Sequence, residues 1–187
     1  MLSKALLVID MQKDLCYDLR RVQKVKTMLG PLKQAIELFT AGGYPVFYIY
    51  FSLPEDDEQF RRFGDKYCIE GTEGAEIIPE LLPLKGMVIK KKKHSAFFET
   101  ELDQHLKEKN VKDVYLSGMQ TQICIMTTAA DANFRGYRPI AISDCVLSTQ
   151  EENKKNALNW IAKYVGEVMS LADIKKEWGS QMESVNE

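Results

Sequence analysis

Ala5-Leu6-Leu7-Val8-Ile9-Asp10 is the stretch that decides the fold of this 187-residue chain. Its apolar residues form a continuous run and do not alternate with polar ones. Such a run is typical of a strand that is buried on both faces of a parallel sheet. Ligands of such sheets bind beyond the carboxyl ends of the strands. Asp10 and the residues that follow each similar run are therefore candidate site residues.

Further apolar runs continue this pattern along the chain. Strands are predicted at 46–50, 87–89, 114–116, 139–142 and 165–169. Helices, recognised mainly by apolar residues three or four positions apart, are predicted at 23–40, 101–109, 123–135, 151–163 and 171–178. Strands that alternate with helices predict a parallel sheet with helices on both faces. We expect a single domain over residues 1–187, with a frayed polar tail at 179–187.

Composition narrows the classes of partner and compartment. The chain is 45% hydrophobic and 28% charged with a formal net charge of −2, which is ordinary for a soluble globular protein and favours neither nucleic acid nor a membrane surface as partner. No apolar run approaches the ~20 residues of a membrane span, and the start lacks the basic segment of a signal peptide. We therefore expect a cytoplasmic protein with reduced cysteines and a small-molecule substrate.

Reactive side chains follow three of the predicted strands: Asp10, the lysines of residues 90–93, and Cys124 at the start of a helix with Thr121 as its predicted N-cap. A helix N-terminus and a nearby lysine both favour a thiolate, and a carboxylate can accept the thiol proton. Each residue alone has an ordinary structural explanation. Their joint position at one edge of the sheet favours nucleophilic catalysis.

These residues belong to longer motifs, and over nearly the whole chain the sequence resembles the isochorismatase-like cysteine hydrolases, which include nicotinamidases and N-carbamoylsarcosine amidases. Residues 6–12 resemble the family's opening strand with its catalytic aspartate. In residues 88–100 a lysine precedes Ser-Ala-Phe by four positions, as the family's catalytic lysine does. Residues 118–124 resemble the nucleophile turn Gly-x-x-Thr-x-x-Cys, and residues 71–76 resemble the loop Gly-Thr-x-Gly-Ala-Glu.

The resemblance implies a fold and a catalytic triad. The fold would be a three-layer, Rossmann-like α/β/α sandwich around a mostly parallel six-stranded sheet, commonly assembled into dimers or tetramers. Asp10 would act as general base and then acid, Lys91 would stabilise the thiolate, and Cys124 would be the nucleophile. A cis peptide bond would join Met119 to Gln120, and the amides of Gln120 and Cys124 would form the oxyanion hole.

A substrate pocket should surround this triad. We assign to it Gln12, Leu15, His94, Phe98 and Gln122. His94 pairs with Cys124, lines the pocket or faces solvent, and Cys145 is expected to pack or to line the pocket. The polar segment 52–72 is expected to cover a pocket, in its own chain or in a neighbouring one.

Two departures from the family's patterns decide the expected chemistry. The positions of the metal ligands of nicotinamidases fall on Phe51, Leu53 and Tyr67, so we predict no catalytic metal and no cofactor, and nicotinamide is disfavoured as substrate. True isochorismatases, which cleave a vinyl ether, typically carry glycine where Cys124 stands. We therefore expect a cysteine hydrolase that cleaves a C–N bond of a small amide, ureido or carbamoyl compound through a thioester-type intermediate.

Two alternatives stay open. One is a metal-free vinyl-ether hydrolase of the isochorismatase type. The other is a non-catalytic protein that uses the same scaffold for binding or for thiol redox sensing.

Overall fold

The computed structural model describes residues 3–64, 66–82 and 85–183, without the side chains of Ser3 and of residues 180–183. Its centre is a six-stranded sheet in the order β3-β2-β1-β4-β5-β6, in which every neighbouring pair is parallel. The strands are β1 (Ser3–Ile9), β2 (Val46–Phe51), β3 (Met87–Lys91), β4 (Val111–Met119), β5 (Arg138–Leu147) and β6 (Glu167–Met169). The predicted parallel six-stranded sheet is confirmed.

Helices cover both faces of this sheet. They are α1 (Lys13–Cys16), α2 (Val22–Ala41), α3 (Glu58–Phe63), α4 (Leu102–Glu108), α5 (Met126–Phe134), α6 (Glu151–Tyr164) and α7 (Leu171–Glu183). Helices α2 and α7 share one apolar cluster with Leu6 and Val8, whereas α4, α5 and α6 share the other with Leu7 and Ile9. Alternate residues of β1 thus enter opposite layers, which explains why its run is apolar throughout.

Several predicted bounds are wrong. Strands β4 and β5 are longer than their apolar centres, because ladder pairing continues through less apolar residues. Segment 52–72 contains helix α3, and helix α7 runs on to Glu183 past its last predicted residue, Trp178. The segment 179–187 therefore begins inside this helix, and its fraying stays a prediction. Residues 184–187 lie outside the described residues.

None of the helices in the described ranges is both long and apolar enough to cross a membrane.

The strand order reverses between β1 and β4. The chain builds β1, β2 and β3 outward in one direction and then β4, β5 and β6 in the other. Ligands of open parallel sheets bind at such a switch point, outside the carboxyl ends of the strands. Asp10 follows β1 here and the turn that carries Cys124 follows β4, so the topology itself brings these two residues together.

Candidate active site

A buried ion pair forms the floor of this site. Lys91 Nζ lies 2.9 Å from Asp10 Oδ2, and both residues are at least 98% buried, with exposed fractions of 1% and 2%. Asp10 has a φ of 57°, a left-handed backbone that is uncommon for residues other than glycine and that is concentrated at functional sites. The pair joins the ends of β1 and β3 across the end of β2.

Only one residue of the lysine run reaches this floor. Successive residues of a strand point to opposite faces, so Lys90 lies on the other side and pairs with Glu70 at 2.6 Å on the surface. Lys92 and Lys93 are exposed. Lys91 Nζ also donates to the carbonyl of Lys93 at 3.1 Å and lies 3.5 Å from Cys124 Sγ. The structure therefore brings together the three residues predicted as a triad.

The nucleophile turn begins where β4 meets β1. Gly118 has a φ of 103°, and a Cβ there would collide with the backbone of Ile9, so the close approach of the two strands needs glycine. The Met119–Gln120 peptide bond is cis, at the position that the resemblance implies. A π-helical turn, Thr121–Ile125, then leads into α5 and presents Cys124.

The predicted N-cap of this turn is wrong. The cap residue is Gln120, whose side chain makes no capping bond. Thr121 is buried inside the turn, and its Oγ1 has no hydrogen-bond partner among the described residues. The π-helical geometry shifts the start of the helix, so the spacing typical of an α-helical cap does not apply.

The electrostatics of Cys124 also differ from the prediction. Burial raises the pKa of its thiol well above the ordinary range, the Asp10 carboxylate raises it further, and Lys91 only partly opposes this. The ammonium of Lys91 is already engaged by Asp10, so it cannot fully compensate a thiolate. The direction of this shift is opposite to the expected depression of the pKa.

Lys91 keeps its charge in this environment. Burial alone lowers the pKa of its ammonium group, but Asp10 and Cys124 together raise it above the ordinary value. The raised pKa favours the cationic form of Lys91 in this site. Its Nζ also lies 5.3 Å from the centre of the Phe51 ring, a cation–π distance that suits a desolvated ammonium.

A cavity of about 580 Å³ opens onto Cys124 and Asp10, within the size range of small-molecule sites. Leu15, His94 and Gln122, which are among the residues assigned to the substrate pocket, line this cavity. His94 Nδ1 lies 3.9 Å from Cys124 Sγ. Burial, followed by Lys91, lowers the pKa of His94, so its imidazole is neutral at neutral pH.

Two residues assigned to the pocket do not line this cavity. Gln12 is fully buried. Its amide donates to the carbonyls of Phe51 and Ala75 at 2.7 and 2.8 Å and accepts from the Phe51 amide at 2.9 Å. It therefore fastens the start of α1 to β2. Phe98 is 47% exposed and lies outside the cavity lining.

The positions that the resemblance assigns to metal ligands do not fit a metal. Phe51 and Tyr67 form an aromatic wall of the cavity, with ring centres 5.6 Å apart, and Leu53 is buried. In the part of the chain that the structure describes, no three His, Cys, Asp or Glu side chains gather as a metal site. The absence of a catalytic metal stays a prediction.

Segment 52–72 contributes to the cavity of its own chain, since Lys66 and Tyr67 line it. The loop Gly-Thr-x-Gly-Ala-Glu, residues 71–76, holds α1 from the other side. Lys13 of α1 pairs with Glu73 and Glu76 of this loop at 2.8 and 2.9 Å. A side chain at Gly74 would collide with the Asp14 carboxylate, so the motif fixes the helix that follows Asp10.

A second set of hydrogen bonds fixes the segment that follows β3 to helix α5. Ser95 Oγ donates to Asp131 Oδ2 at 2.6 Å, and the amide of Ala96 donates to Thr128 Oγ1 at 3.0 Å. Asp131 and Thr128 lie on α5, directly after the turn that carries Cys124. These bonds set the distance between Lys91 and Cys124.

The lining of the cavity includes residues that the sequence did not single out. Arg20, Arg21, Asp18 and Thr149 are among them. The first three lie between α1 and α2. Their place in the cavity lining could have been predicted from the sequence only because these charged residues follow closely after Asp10. Cys145 is fully buried in the core, which fits the packing that was expected for it.

Gln120 connects the turn to the rim of the cavity. Its Oε1 accepts from the amide of Thr149 at 3.1 Å, and its backbone carbonyl accepts from the amides of Ile123 and Ile125 at 3.1 and 3.2 Å. This leaves the turn well anchored beside Cys124. The oxyanion hole formed by the amides of Gln120 and Cys124 stays a prediction.

Comparisons with known proteins agree with this arrangement. The model of the isochorismatase domain matches residues 4–173. Nicotinamidase 3 of Arabidopsis thaliana is 30% identical over 158 residues, covering 79% of this chain and 75% of its own.

Two solved structures share the fold closely. An isochorismatase-like hydrolase from Alkaliphilus metalliredigens superposes with a TM-score of 0.86 at 30% identity, covering 95% of this chain and 100% of its own. An N-carbamoylsarcosine amidase from Thermoplasma acidophilum has a TM-score of 0.81 at 31% identity, covering 91% of this chain and 97% of its own. With the family model matched along nearly the whole chain and the parallel fold in place, the protein belongs to the isochorismatase family of hydrolases.

Proposed function

We propose that the protein cleaves the C–N bond of a small amide, ureido or carbamoyl compound, with Cys124 as the nucleophile and Asp10 and Lys91 as its partners. The observation that carries this proposal is the position of one buried ammonium, Lys91 Nζ, 2.9 Å from Asp10 Oδ2 and 3.5 Å from Cys124 Sγ. All three groups lie beneath or at the wall of a single cavity.

The first half of the reaction acylates the cysteine. Asp10 Oδ1 has no hydrogen-bond partner among the described residues, so this oxygen is available to take the thiol proton. As the proton leaves, Sγ attacks the carbonyl carbon of the substrate, and the carbonyl oxygen gains a negative charge. Backbone amides of the turn stabilise this oxyanion. The C–N bond then breaks, Asp10 returns the proton to the leaving nitrogen, and a thioester forms on Cys124.

The second half releases the acid. Asp10 takes a proton from a water molecule, whose oxygen attacks the thioester carbonyl. The C–S bond breaks, and the proton on Asp10 passes back to Sγ. Lys91 remains a cation throughout. Its part is to hold Asp10 in place and to balance the negative charge that moves between the carboxylate and the sulfur.

The raised pKa of the Cys124 thiol supports a transfer of its proton during attack, because a thiol that is neutral at rest needs a base within the site. The relatives support the same bond type: one similar protein is named as a nicotinamidase and one similar structure as an N-carbamoylsarcosine amidase. A vinyl-ether substrate would have no evident use for the sulfur of Cys124.

Ammonia release over a panel of primary amides, ureas and carbamoyl compounds tests this proposal. Cys124→Ala should abolish turnover, whereas Cys145→Ala, which alters a buried cysteine of the core, should retain it. Intact-mass spectrometry of the quenched wild-type reaction should show an acyl adduct on the peptide that contains Cys124. Wild-type turnover in Cys124→Ala would refute the nucleophile assignment. Turnover of isochorismate that survives this variant but not Asp10→Asn would support the vinyl-ether alternative.

A further inference from the structure

The wall of the cavity carries a guanidinium that the proposed reaction does not use. Arg21 lines the cavity together with Cys124, and its side chain is only 11% exposed. Its Nε is buried and has no hydrogen-bond partner among the described residues. A guanidinium has five N–H donors, so Arg21 can donate to a ligand from the part of its side chain that lines the cavity.

The neighbouring carboxylate does not use up this guanidinium. Arg20 takes both oxygens of Asp18, with Nε 3.0 Å from Oδ1 and Nη2 2.8 Å from Oδ2. Arg21 shares only Oδ2, through Nη2 at 3.0 Å. The bonds from Arg20 hold the pKa of Asp18 well below its usual range, so Asp18 stays a single negative charge between two arginines.

The other charges of the cavity wall are engaged elsewhere. Lys66 pairs with Glu55 at 3.1 Å, and Asp10 pairs with Lys91. Asp14 accepts from the amide of Cys68 at 2.7 Å. That amide does not neutralise Asp14, so Asp14 and Asp18 together balance the charges of Arg20 and Arg21. A wall without excess positive charge disfavours a dianionic phosphate, whereas the guanidinium fork of Arg21 matches the geometry of a carboxylate.

We propose that Arg21 is a specificity-determining residue that binds a carboxylate of the substrate, while the amide or ureido carbonyl at the other end of the same molecule lies at Cys124. This inference rests on the proposed function and narrows its substrate class to amides and ureas that carry a carboxylate. A cavity of about 580 Å³ has room for such a molecule beside both groups.

Matched pairs of substrates test this inference. Succinamate and 4-methylpentanamide have nearly the same shape, but only the first has a carboxylate, and hydantoate and isobutylurea form a second such pair. Wild-type protein should favour the carboxylated member of the active pair by kcat/KM. In Arg21→Gln this preference should fall about 10- to 100-fold, mainly through KM, as expected for the loss of a charge-assisted hydrogen bond.

The ratio of the kcat/KM values for the two substrates is measured on one preparation, so partial unfolding of a variant does not change this ratio. Arg21→Lys should recover part of the preference, because it keeps the charge but loses the fork. Arg61→Gln, which alters an exposed arginine of α3, should keep the wild-type ratio. Equal use of both members of each pair by wild-type protein, or an unchanged ratio in Arg21→Gln, would overturn the inference.

A binding measurement separates this inference from the proposed function. Calorimetric titration of Cys124→Ala with succinamate or hydantoate reports the subsite without turnover. Binding that is lost in Cys124→Ala/Arg21→Gln supports the carboxylate site even if no panel substrate releases ammonia, in which case the proposed reaction alone fails. Equal binding by both proteins, or binding by neither, would overturn the assignment of Arg21.

Discussion

Lys91 Nζ and Asp10 Oδ2 form a 2.9 Å ion pair that is almost completely removed from solvent, with side-chain exposures of 0% and 3%. Two charges in such a position stabilise each other only while both are present, since removal of one leaves the other buried and uncompensated. This pair is therefore a structural element, and in the proposed reaction it also holds Asp10 in place for proton transfer.

Lys91→Met should abolish turnover and lower the free energy of unfolding by roughly 3–5 kcal/mol, because Asp10 would be left as an unpaired buried carboxylate. Urea denaturation at neutral pH measures the stability, and ammonia release measures the activity. Lys92→Met is the matched control: Lys92 is the exposed next residue of the same run, and its replacement should change stability by less than ~0.5 kcal/mol. Equal effects of the two variants would contradict the assignment of Lys91.

The alkylation of Cys124 by iodoacetamide should require a higher pH than that of a free thiol, whose pKa is ~8.5. Burial and Asp10 raise the pKa of Cys124, so less of its thiol is ionised at pH 7–8.5. The alkylation rate should therefore increase only at a higher pH than for a free thiol. Peptide mass spectrometry follows this cysteine separately. In Asp10→Asn the profile should shift to lower pH, because the negative neighbour is gone and Lys91 remains. A wild-type profile centred below that of glutathione would contradict the raised pKa.

Much of this site can be predicted from the sequence, because the topology of the sheet determines where the residues after each strand lie. The apolar run Ala5–Ile9 predicts a buried parallel strand, and the residue after it must lie at the carboxyl edge of the sheet. The same holds for the turn that ends in Cys124. The choice of Lys91 from the four lysines of residues 90–93 also required the resemblance to the family. An unbroken run of lysines does not show which side chain faces inward until the register of β3 with β2 is known.

The electrostatics could not be predicted in the same way. A cysteine near a helix start and a lysine suggests a thiolate, but the outcome depends on burial and on whether the lysine is already paired, and both are properties of tertiary packing. The place of Arg21 in the cavity lining could not be predicted for a related reason. It depends on the path of the connection between α1 and α2, and loop 71–76, far along the chain, holds α1 in place.

Gly118→Ala should destabilise the protein by several kcal/mol more than Gly136→Ala. Both glycines have positive φ values, 103° and 84°, so both variants bear a backbone cost of about 1–2 kcal/mol. Only at Gly118 would the new Cβ also collide with the backbone of Ile9, whereas nothing lies within 4 Å at Gly136. Urea denaturation of the two variants measures the difference. Equal losses would show that β1 and β4 can separate without cost at the switch point.

The imidazole of His94 should titrate below its ordinary pKa of ~6.5. Burial disfavours its cationic form, and the fixed charge of Lys91 disfavours it further. Because the folded-state pKa is the lower one, folding stability should fall as the pH drops below ~6.5, and His94→Gln should weaken this fall. His105→Gln leaves His94 as the only histidine, so the remaining imidazole signal in an NMR titration is unambiguous. A midpoint at or above 6.5 would contradict the lowered pKa and would show that the charge of Lys91 is screened from the imidazole.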